Sequence, residues 1–460
     1  MDFRNKRVLI MGLGVHGGGI GVARYLAKHG AHVTVTDLKP AEQLRDSITQ
    51  LEGLPIDYVL GEHREADVLQ SDIVVRNPGV PREHPLLQLA RAHDIPVEME
   101  VSLFFLQCPA PIVGITGTKG KTTTTLLTGA MLKEKDPRAV VAGNLRVSAL
   151  EMLPQIDATT PVVLELSSWQ CEGLEPHRLS PHIAGITNLY PDHLNRYQDM
   201  ADYAAAKALI FVNQKADDCV VLNADQNESR AFASQARSRV IWFSRTRRVD
   251  GVFLSGDEIV HTLDGSDAAP QRVAARSDIQ LPGEHNVENV LAASALALAA
   301  GAKPEQVRSA LRRFHGAPHR LELVRELDGV AYVNDTTATA PAAAMAALKA
   351  IGQNIVWIAG GADKSLDFEA LGRSASLRAK AILLLDGTAT DKLDAMIRYG
   401  GGGRKLVGRF DSLRAAVAEA RRLAQPGDTV LLSPGCASFG MFNNEFERGD
   451  QFRAAVEQLA

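Results

Sequence analysis

The chain has 460 residues, 45% hydrophobic and 23% charged, which is too long for one ordinary domain and leaves apolar material for about three packed cores. A formal net charge of −4 gives no electrostatic case for a nucleic-acid partner. The cysteines at 108, 171, 219 and 436 lack metal-type or Cys-x-x-Cys spacing, no signal peptide is visible, and no apolar run approaches the roughly 18 residues that cross a bilayer, so a cytoplasmic chain without membrane contact is expected.

The first elements read as a Rossmann-type half. Residues 7–11 form an apolar run ending in Gly12-Leu13-Gly14-Val15-His16-Gly17-Gly18-Gly19. A helix-period stretch follows (Ile20, Val22, Ala23, Tyr25, Leu26), and a second run from His32 to Thr36 closes on Asp37. Strand, glycine turn, helix, strand and terminal acid place a nucleotide or its diphosphate on that helix end. Further strands are expected at 58–60 and 73–75, the latter stopped by Asn77-Pro78-Gly79-Val80-Pro81.

A new unit starts near residue 108. The apolar residues Ile112 and Val113 lead into Gly114-Ile115-Thr116-Gly117-Thr118-Lys119-Gly120-Lys121-Thr122-Thr123-Thr124, and a helix-compatible run follows (Leu126, Leu127, Ala130, Met131, Leu132). Gly117 and Gly120 permit a tight turn that aims successive N–H groups at a phosphate, and the helix adds its positive end. Lys121 then reaches the outer phosphates and the Thr122 hydroxyl joins a Mg²⁺ shell. Ile115 stands where the strict pattern has glycine, so this is a shortened P-loop; it implies use of ATP.

Strands are expected next at 162–164, 183–186 and 219–222, with helices between them, as in a parallel sheet wrapped on both faces. Residues 247–280 alternate polar and apolar around Asp-Gly and Ser-Gly turns and read as a small antiparallel insert. A third segment begins after 314–320, with strands at 331–334, 355–358, 381–385 and 429–432. The expected fold class is α/β in three domains. These are a Rossmann-like domain over 1–108, a P-loop ATPase domain with a parallel sheet and the insert over 109–316, and a second Rossmann-like α/β domain over 317–460.

Glu165, at a strand's carboxyl end, suits a Mg²⁺ site, because a buried carboxylate is costly without a cation. Asn188 to His193 forms a second strand-end cluster, in which His193 is a candidate metal or phosphate ligand. Lys207 lies in a helical stretch among small and apolar neighbours, and local sequence alone reads it as a solvated helix lysine.

Taken in order, Thr116 to Thr122, Glu165-Leu166-Ser167-Ser168, Asn188 to His193, Lys207, Leu281 to Asn286, His319-Arg320 and Asn334-Asp335-Thr336 resemble the muramyl (Mur) ligase family of peptidoglycan synthesis. The resemblance covers essentially the whole chain and extends to Ser433-Pro434-Gly435-Cys436-Ala437-Ser438-Phe439 and Phe446-Glu447-Arg448-Gly449. It implies an ATP-dependent amide ligase that adds D-glutamate to UDP-N-acetylmuramoyl-L-alanine through an acyl phosphate, working as a monomer. L-glutamate, another muramyl ligase activity and, more distantly, a folylpolyglutamate synthase-like activity are the alternatives; about a hundred residues ahead of the ATP loop speak against the last. A nucleotide-binding protein without turnover and a nicotinamide oxidoreductase are the readings from other classes.

By the same resemblance Lys121, Glu165, His193 and Lys207 are catalytic, and Thr122, Glu165, His193 and Lys207 serve two Mg²⁺ ions, with Lys207 carbamylated. ATP is held by Gly117, Thr118, Lys119, Gly120, Lys121, Thr122 and Thr123, with Asn286 and Asn289 on the adenine side and Arg320 and Asp335 facing the nucleotide. Gly14, Val15, His16 and Asp37 meet the uridine part of the substrate, and Asn144 and Ser167 are further substrate contacts. Thr339, Lys364 and Ser438 meet the carboxylates of the incoming amino acid, and Phe439 and Phe446 are further substrate contacts. The chain departs from the family pattern at Thr337, where many relatives carry lysine, at Arg146, where they carry glycine, and at Phe446, which is shifted by one residue.

Overall fold

The computed structural model describes residues 1–14, 18–145, 147–192, 196–263, 269–281, 283–363 and 366–459. The expectations for Val15, His16, Arg146, His193 and Lys364 concern residues outside this set. The described chain forms two compact units, Met1–Phe314 and His315–Ala460. None of its helices is long and apolar enough to cross a membrane.

The first unit holds two sheets. One consists of β1 (Arg7–Met11), β2 (His32–Asp37), β3 (Ile56–Leu60), β4 (Ile73–Arg76) and β5 (Val97–Glu98), all parallel, in the order β3-β2-β1-β4-β5. The order reverses at β1, and in such sheets the crevice beyond that reversal takes ligands. The second sheet has β6 (Ile112–Thr116), β7 (Val140–Gly143), β8 (Val162–Glu165), β9 (Ile183–Ile186), β10 (Cys219–Asn223), β11 (Arg239–Ser244), β12 (Gly251–Ser255), β13 (Glu258–His261) and β14 (Gln271–Ala275). Its order is β14-β13-β12-β11-β10-β9-β6-β8-β7, so β6 sits between β9 and β8 at a second reversal.

The expected insert appears as β12–β14. These strands pair antiparallel with one another, but β12 joins β11 in parallel, so the insert lengthens the sheet rather than standing apart from it. Buried residues of both sheets and their helices, among them Ile10, Leu26, Phe104, Leu150 and Leu164, form one continuous apolar cluster. Burial of this shared surface is what welds the two sheets into a single unit. On the other face of the second sheet, the helix Lys121–Lys135 buries Leu127, Met131 and Leu132 against the helix Glu284–Ala299.

The second unit is a six-stranded sheet of β15 (Glu322–Leu327), β16 (Val330–Asn334), β17 (Ile355–Gly360), β18 (Ala379–Leu385), β19 (Leu406–Phe410) and β20 (Thr429–Leu432), in the order β15-β16-β20-β17-β18-β19. Only β15 runs antiparallel. The central strands are nearly continuous apolar runs, and β17 is buried at every residue, as two-sided burial requires.

Candidate active site

The loop after β6 is braced from several directions. Gly117 (φ +147°) and Gly120 (φ +82°) hold backbone conformations that favour glycine. Each is also closely packed: a Cβ on Gly117 would overlap Thr187 Oγ1, and one on Gly120 would overlap Asn289 Oδ1. The Thr118 N–H donates to Asn188 O (3.0 Å), the Lys119 N–H to Asn188 Oδ1 (2.8 Å), and the Thr187 hydroxyl to Lys119 O (2.7 Å). The helical ladder starts with the Thr124 N–H bonding to Gly120 O at 2.9 Å. The amides of Lys121, Thr122 and Thr123 therefore precede it, at the positive end of a 15-residue helix. Such an end is a ready site for a phosphate. Lys121 Nζ donates to Gly117 O (3.0 Å) and Thr118 O (3.1 Å), and Lys119 Nζ pairs with Asp192 at 3.1 Å. Asn286 accepts from the Asn289 side chain at 3.1 Å, so this pair stands directly against the loop.

Glu165 ends β8 in register with Ile115 of β6 and is 1% exposed. Its Oε1 accepts from Asn144 Nδ2 at 2.7 Å, and its backbone carbonyl accepts from the Asn144 N–H at 2.8 Å. Its Oε2 is buried with no hydrogen-bond partner among the described residues. An oxygen left in that state costs about 1–3 kcal/mol, more when charged, unless something ligates it.

Lys207 belongs to the helix Met200–Ala208, and it is not the solvated lysine that local sequence suggests. It is 1% exposed; its Nζ donates to Gly117 O (2.9 Å) and Thr116 Oγ1 (3.4 Å) and lies 4.7 Å from the Tyr203 ring centroid. Burial lowers the amine to a pKa of about 7, and Lys121 nearby adds to the effect. A large share of it is therefore neutral near pH 7.

A cavity of about 520 Å³ joins these groups to the first sheet. Gly12, Gly14, Gly18 and Asn77 line one end, at the reversal beyond β1; Asn144, Ser148 and Ser167 line the middle; Lys121, Tyr203 and Lys207 line the far end. Gly14 is pinned there. Its N–H donates to Asp37 Oδ2 (3.1 Å) and its carbonyl accepts from Ser47 Oγ (2.8 Å), while Asp37 Oδ1 takes the Lys39 N–H (2.9 Å). Ser167 caps the helix Ser168–Glu172 in a reciprocal box with Gln170. Glu100 also faces the cavity and accepts from the Ser148 hydroxyl at 2.6 Å. Burial pushes its carboxyl up to about 7, against the pull of hydrogen bonds from Ser148 and from the Leu150 and Ala149 amides.

The second unit gathers its own group at the ends of the adjacent strands β16 and β20. Asp335 Oδ2 accepts from Ser433 Oγ (2.7 Å) and Oδ1 from the Leu321 N–H (3.1 Å); burial nevertheless raises this carboxyl to about 6. Arg320 is exposed, while His319 is buried and meets Phe446 edge-on at 5.6 Å. Thr339 is half-buried, Ser438 is buried and Phe439 is 43% exposed. Arg448 is fully buried. It donates to Thr336 Oγ1 and O (2.9 Å each), Ala437 O (3.3 Å) and Cys436 O (3.4 Å), joining the two strand-end loops.

Three family descriptions match in tandem: the MurD-like N-terminal domain of Mur ligases over residues 6–98, the Mur ligase middle domain over 115–297, and the Mur ligase glutamate ligase domain over 319–436. A UDP-N-acetylmuramoylalanine--D-glutamate ligase of Roseiflexus sp. (strain RS-1) is 53% identical, with all of both chains covered. The chain belongs to the Mur ligase family. Mur ligases are ATP-dependent ligases of peptidoglycan precursors. The enzyme of the same name from Symbiobacterium thermophilum is 39% identical over 99% of this Mur ligase and 98% of its own length. The UDP-N-acetylmuramate-alanine ligase MurC of Thermotoga maritima, at 20% identity, shares the fold with a TM-score of 0.55 over 98% of this chain and 99% of its own.

Within this Mur ligase, the cavity brings together Gly14, Lys121, Asn144, Ser167 and Lys207 and abuts Glu165 through Asn144. Sequence reasoning missed Glu100, the Arg76–Glu172 pair and the clamp made by Arg448. The available signal was a charged side chain inside an apolar run: Glu100 stands in Val97-Glu98-Met99-Glu100-Val101-Ser102-Leu103-Phe104, and Arg76 closes Ile73-Val74-Val75.

Proposed function

We propose that this Mur ligase joins D-glutamate to UDP-N-acetylmuramoyl-L-alanine with cleavage of ATP, as a monomer. The observation that carries the reading is the cavity with a Rossmann glycine turn at one end and Lys121 and Lys207 at the other. The shared name of the relatives at 53% and 39% identity supports glutamate as the amino acid.

The residues suit Mg²⁺. Glu165 keeps a buried oxygen with no partner among the described residues, and Thr122 stands in the first turn of the helix Lys121–Lys135. Among the described residues no group of three or more His, Cys, Asp and Glu gathers, but Mg²⁺ is commonly held by one or two carboxylates plus phosphate oxygens and water. Thr122 and Glu165 would hold one ion, and His193 with carbamylated Lys207 a second; bound Mg²⁺ would neutralise charge on the transferred phosphoryl group. Lys207 suits carbamylation because its neutral amine is nucleophilic. The nitrogen lone pair bonds to the carbon of CO₂, one C=O π pair moves to oxygen, and the surplus proton leaves to solvent, which turns a group that repels a cation into an oxygen donor.

Lys121 and the first amides of its helix balance the triphosphate, with Gly117, Thr118, Lys119, Gly120 and Thr123 shaping the loop and Asn286 and Asn289 beside it. Gly14 and the brace at Asp37 seat the uridine diphosphate. Asn144 and Ser167 orient the substrate's carboxylate toward the γ-phosphoryl group, whose transfer gives an acyl phosphate. The amine of glutamate displaces phosphate from that carbonyl. Arg320 and Asp335 serve the nucleotide, and Thr339, Lys364, Ser438, Phe439 and Phe446 hold the amino acid.

The test is phosphate release with UDP-N-acetylmuramoyl-L-alanine, ATP and Mg²⁺, comparing D-glutamate, L-glutamate and no amino acid. Release that depends on D-glutamate supports the proposal. Release with L-glutamate alone, or none with either, overturns it.

A further inference from the structure

Arg76 closes β4 of the first sheet, and Glu172 closes the helix Ser168–Glu172 that follows β8 of the second. Both side chains are 4% exposed, and Arg76 Nη2 donates to Glu172 Oε2 at 3.1 Å. Each partner is fixed from its other side. Arg76 Nη1 donates to Val80 O (3.0 Å), closing a turn in which the Val80 N–H reaches Asn77 O (2.9 Å). Tyr197 OH donates to Glu172 Oε1 (3.0 Å), and its ring lies 5.2 Å from that of Tyr203, the ring beneath the Lys207 amine. Arg76, Asn77 and Gly79 line the cavity from the first sheet, and Ser168, Trp169 and Gln170 line it from the second.

A buried ion pair of this kind is a poor source of stability. The desolvation of two charges roughly cancels their attraction, and a well-packed apolar pair of similar volume does as well or better. What an apolar pair lacks is direction: the planar guanidinium fork fixes the angle and spacing of everything it bonds.

We propose that Arg76 and Glu172 are positioning residues for the muramyl nucleotide, setting the separation of the Asn77–Val80 turn from the helix Ser168–Glu172 and hence the line along which the substrate's carboxylate approaches the Lys121 loop. Neither touches a reacting atom. The inference rests on the ligase reading above.

Four variants test it: Arg76→Met, Arg76→Lys, Glu172→Gln and the double variant Arg76→Met/Glu172→Met. The double variant is expected to melt within a few degrees of the wild type. Its KM for UDP-N-acetylmuramoyl-L-alanine should nevertheless rise ~10-fold and its kcat/KM fall ~10²-fold, the scale of a misplacement of about 1 Å, with the KM for ATP within about twofold. Arg76→Lys should recover part of the loss seen in Arg76→Met. Wild-type kcat and KM in a folded double variant, or equal rises in both KM values, would overturn the proposal; should the double variant not fold, the same split read on Arg76→Lys decides. Calorimetric titration of the wild type with UDP-N-acetylmuramoyl-L-alanine separates the two claims, since a wild type that does not bind it sinks the ligase reading, whereas tight binding unchanged in the variants sinks only the positioning role.

Discussion

Asn144 holds one oxygen of the Glu165 carboxylate at 2.7 Å, and the other oxygen of that carboxylate is buried without a partner among the described residues. The carboxylate is thus aimed by Asn144 and left with one coordinating atom unused. Glu165→Gln keeps the shape and the bond to Asn144 but removes the charge. Turnover is expected to fall by ~10² or more, because a proposed ligand of the Mg²⁺ that would neutralise charge on the transferred phosphoryl group is lost. The melting temperature should hold or rise, because a buried carboxylate costs more than an amide. Steady-state kinetics and a thermal scan on the same preparation check both halves, and a parallel loss of stability and rate would indicate a structural role instead.

Lys207 is expected to be indispensable for a different reason. Lys207→Ala removes the amine that burial holds at about 7, the group on which the proposed carbamylation depends. Activity should vanish, and added bicarbonate should not restore it. Intact-mass measurement of the wild type under mild conditions should show a gain of one CO₂ that the variant lacks. A fully active Lys207→Ala would remove Lys207 from the site.

The ATP loop was legible because everything it needs is local: two glycines at positive φ, a lysine and threonines within a few residues, and an apolar strand ahead of them. The central strands were legible because two-sided burial demands uninterrupted apolar runs. The edge strands β15 and β19 were not, since half of each faces water and their sequences, Glu-Leu-Val-Arg-Glu-Leu and Leu-Val-Gly-Arg-Phe, carry no such run. Lys207 misled for a related reason: small apolar neighbours suit a buried helix as well as an exposed one, and its partner Gly117 O lies 90 residues away. The Arg76–Glu172 pair, 96 residues apart, leaves no local spacing to read.

Glu100 gives the protein a pH response that can be worked out in sign. Its folded carboxyl is pushed from an ordinary 4.5 up to about 7, mainly by burial, with Glu151 adding repulsion and Ser148 with the Leu150 and Ala149 amides opposing. A raised carboxyl pKa means that the folded state binds more protons than the unfolded state between about 4.5 and 7. The contribution of this group is therefore full below about 4.5 and is lost as pH rises through about 7. Glu100→Gln should remove the dependence, so that the stability difference between variant and wild type grows by ~3 kcal/mol across that window in favour of the variant. Urea midpoints at several pH values measure it, and parallel curves would contradict it.

Arg448 presents the opposite case, a buried cation whose hydrogen-bond partners among the described residues are oxygens of Thr336, Cys436 and Ala437 and include no carboxylate. Burial lowers its pKa to about 10, so it remains charged at neutral pH. Arg448→Met would leave those carbonyls without their donor in a closed interior, and a loss of ~3 kcal/mol in the His315–Ala460 unit is expected. Arg448→Lys keeps the charge but presents a compact ammonium rather than a fork, so it should bridge the two loops poorly and recover less than half of the loss. Because the clamped loops carry Thr339 and Ser438, and Asp335 directly precedes the clamped Thr336, the KM for glutamate should rise in both variants, and that for ATP to a smaller extent. Hydrogen exchange at the β16 and β20 amides, read beside the two KM values, distinguishes a loosened loop pair from general unfolding. Faster exchange there with an unchanged KM for glutamate would limit Arg448 to stability alone.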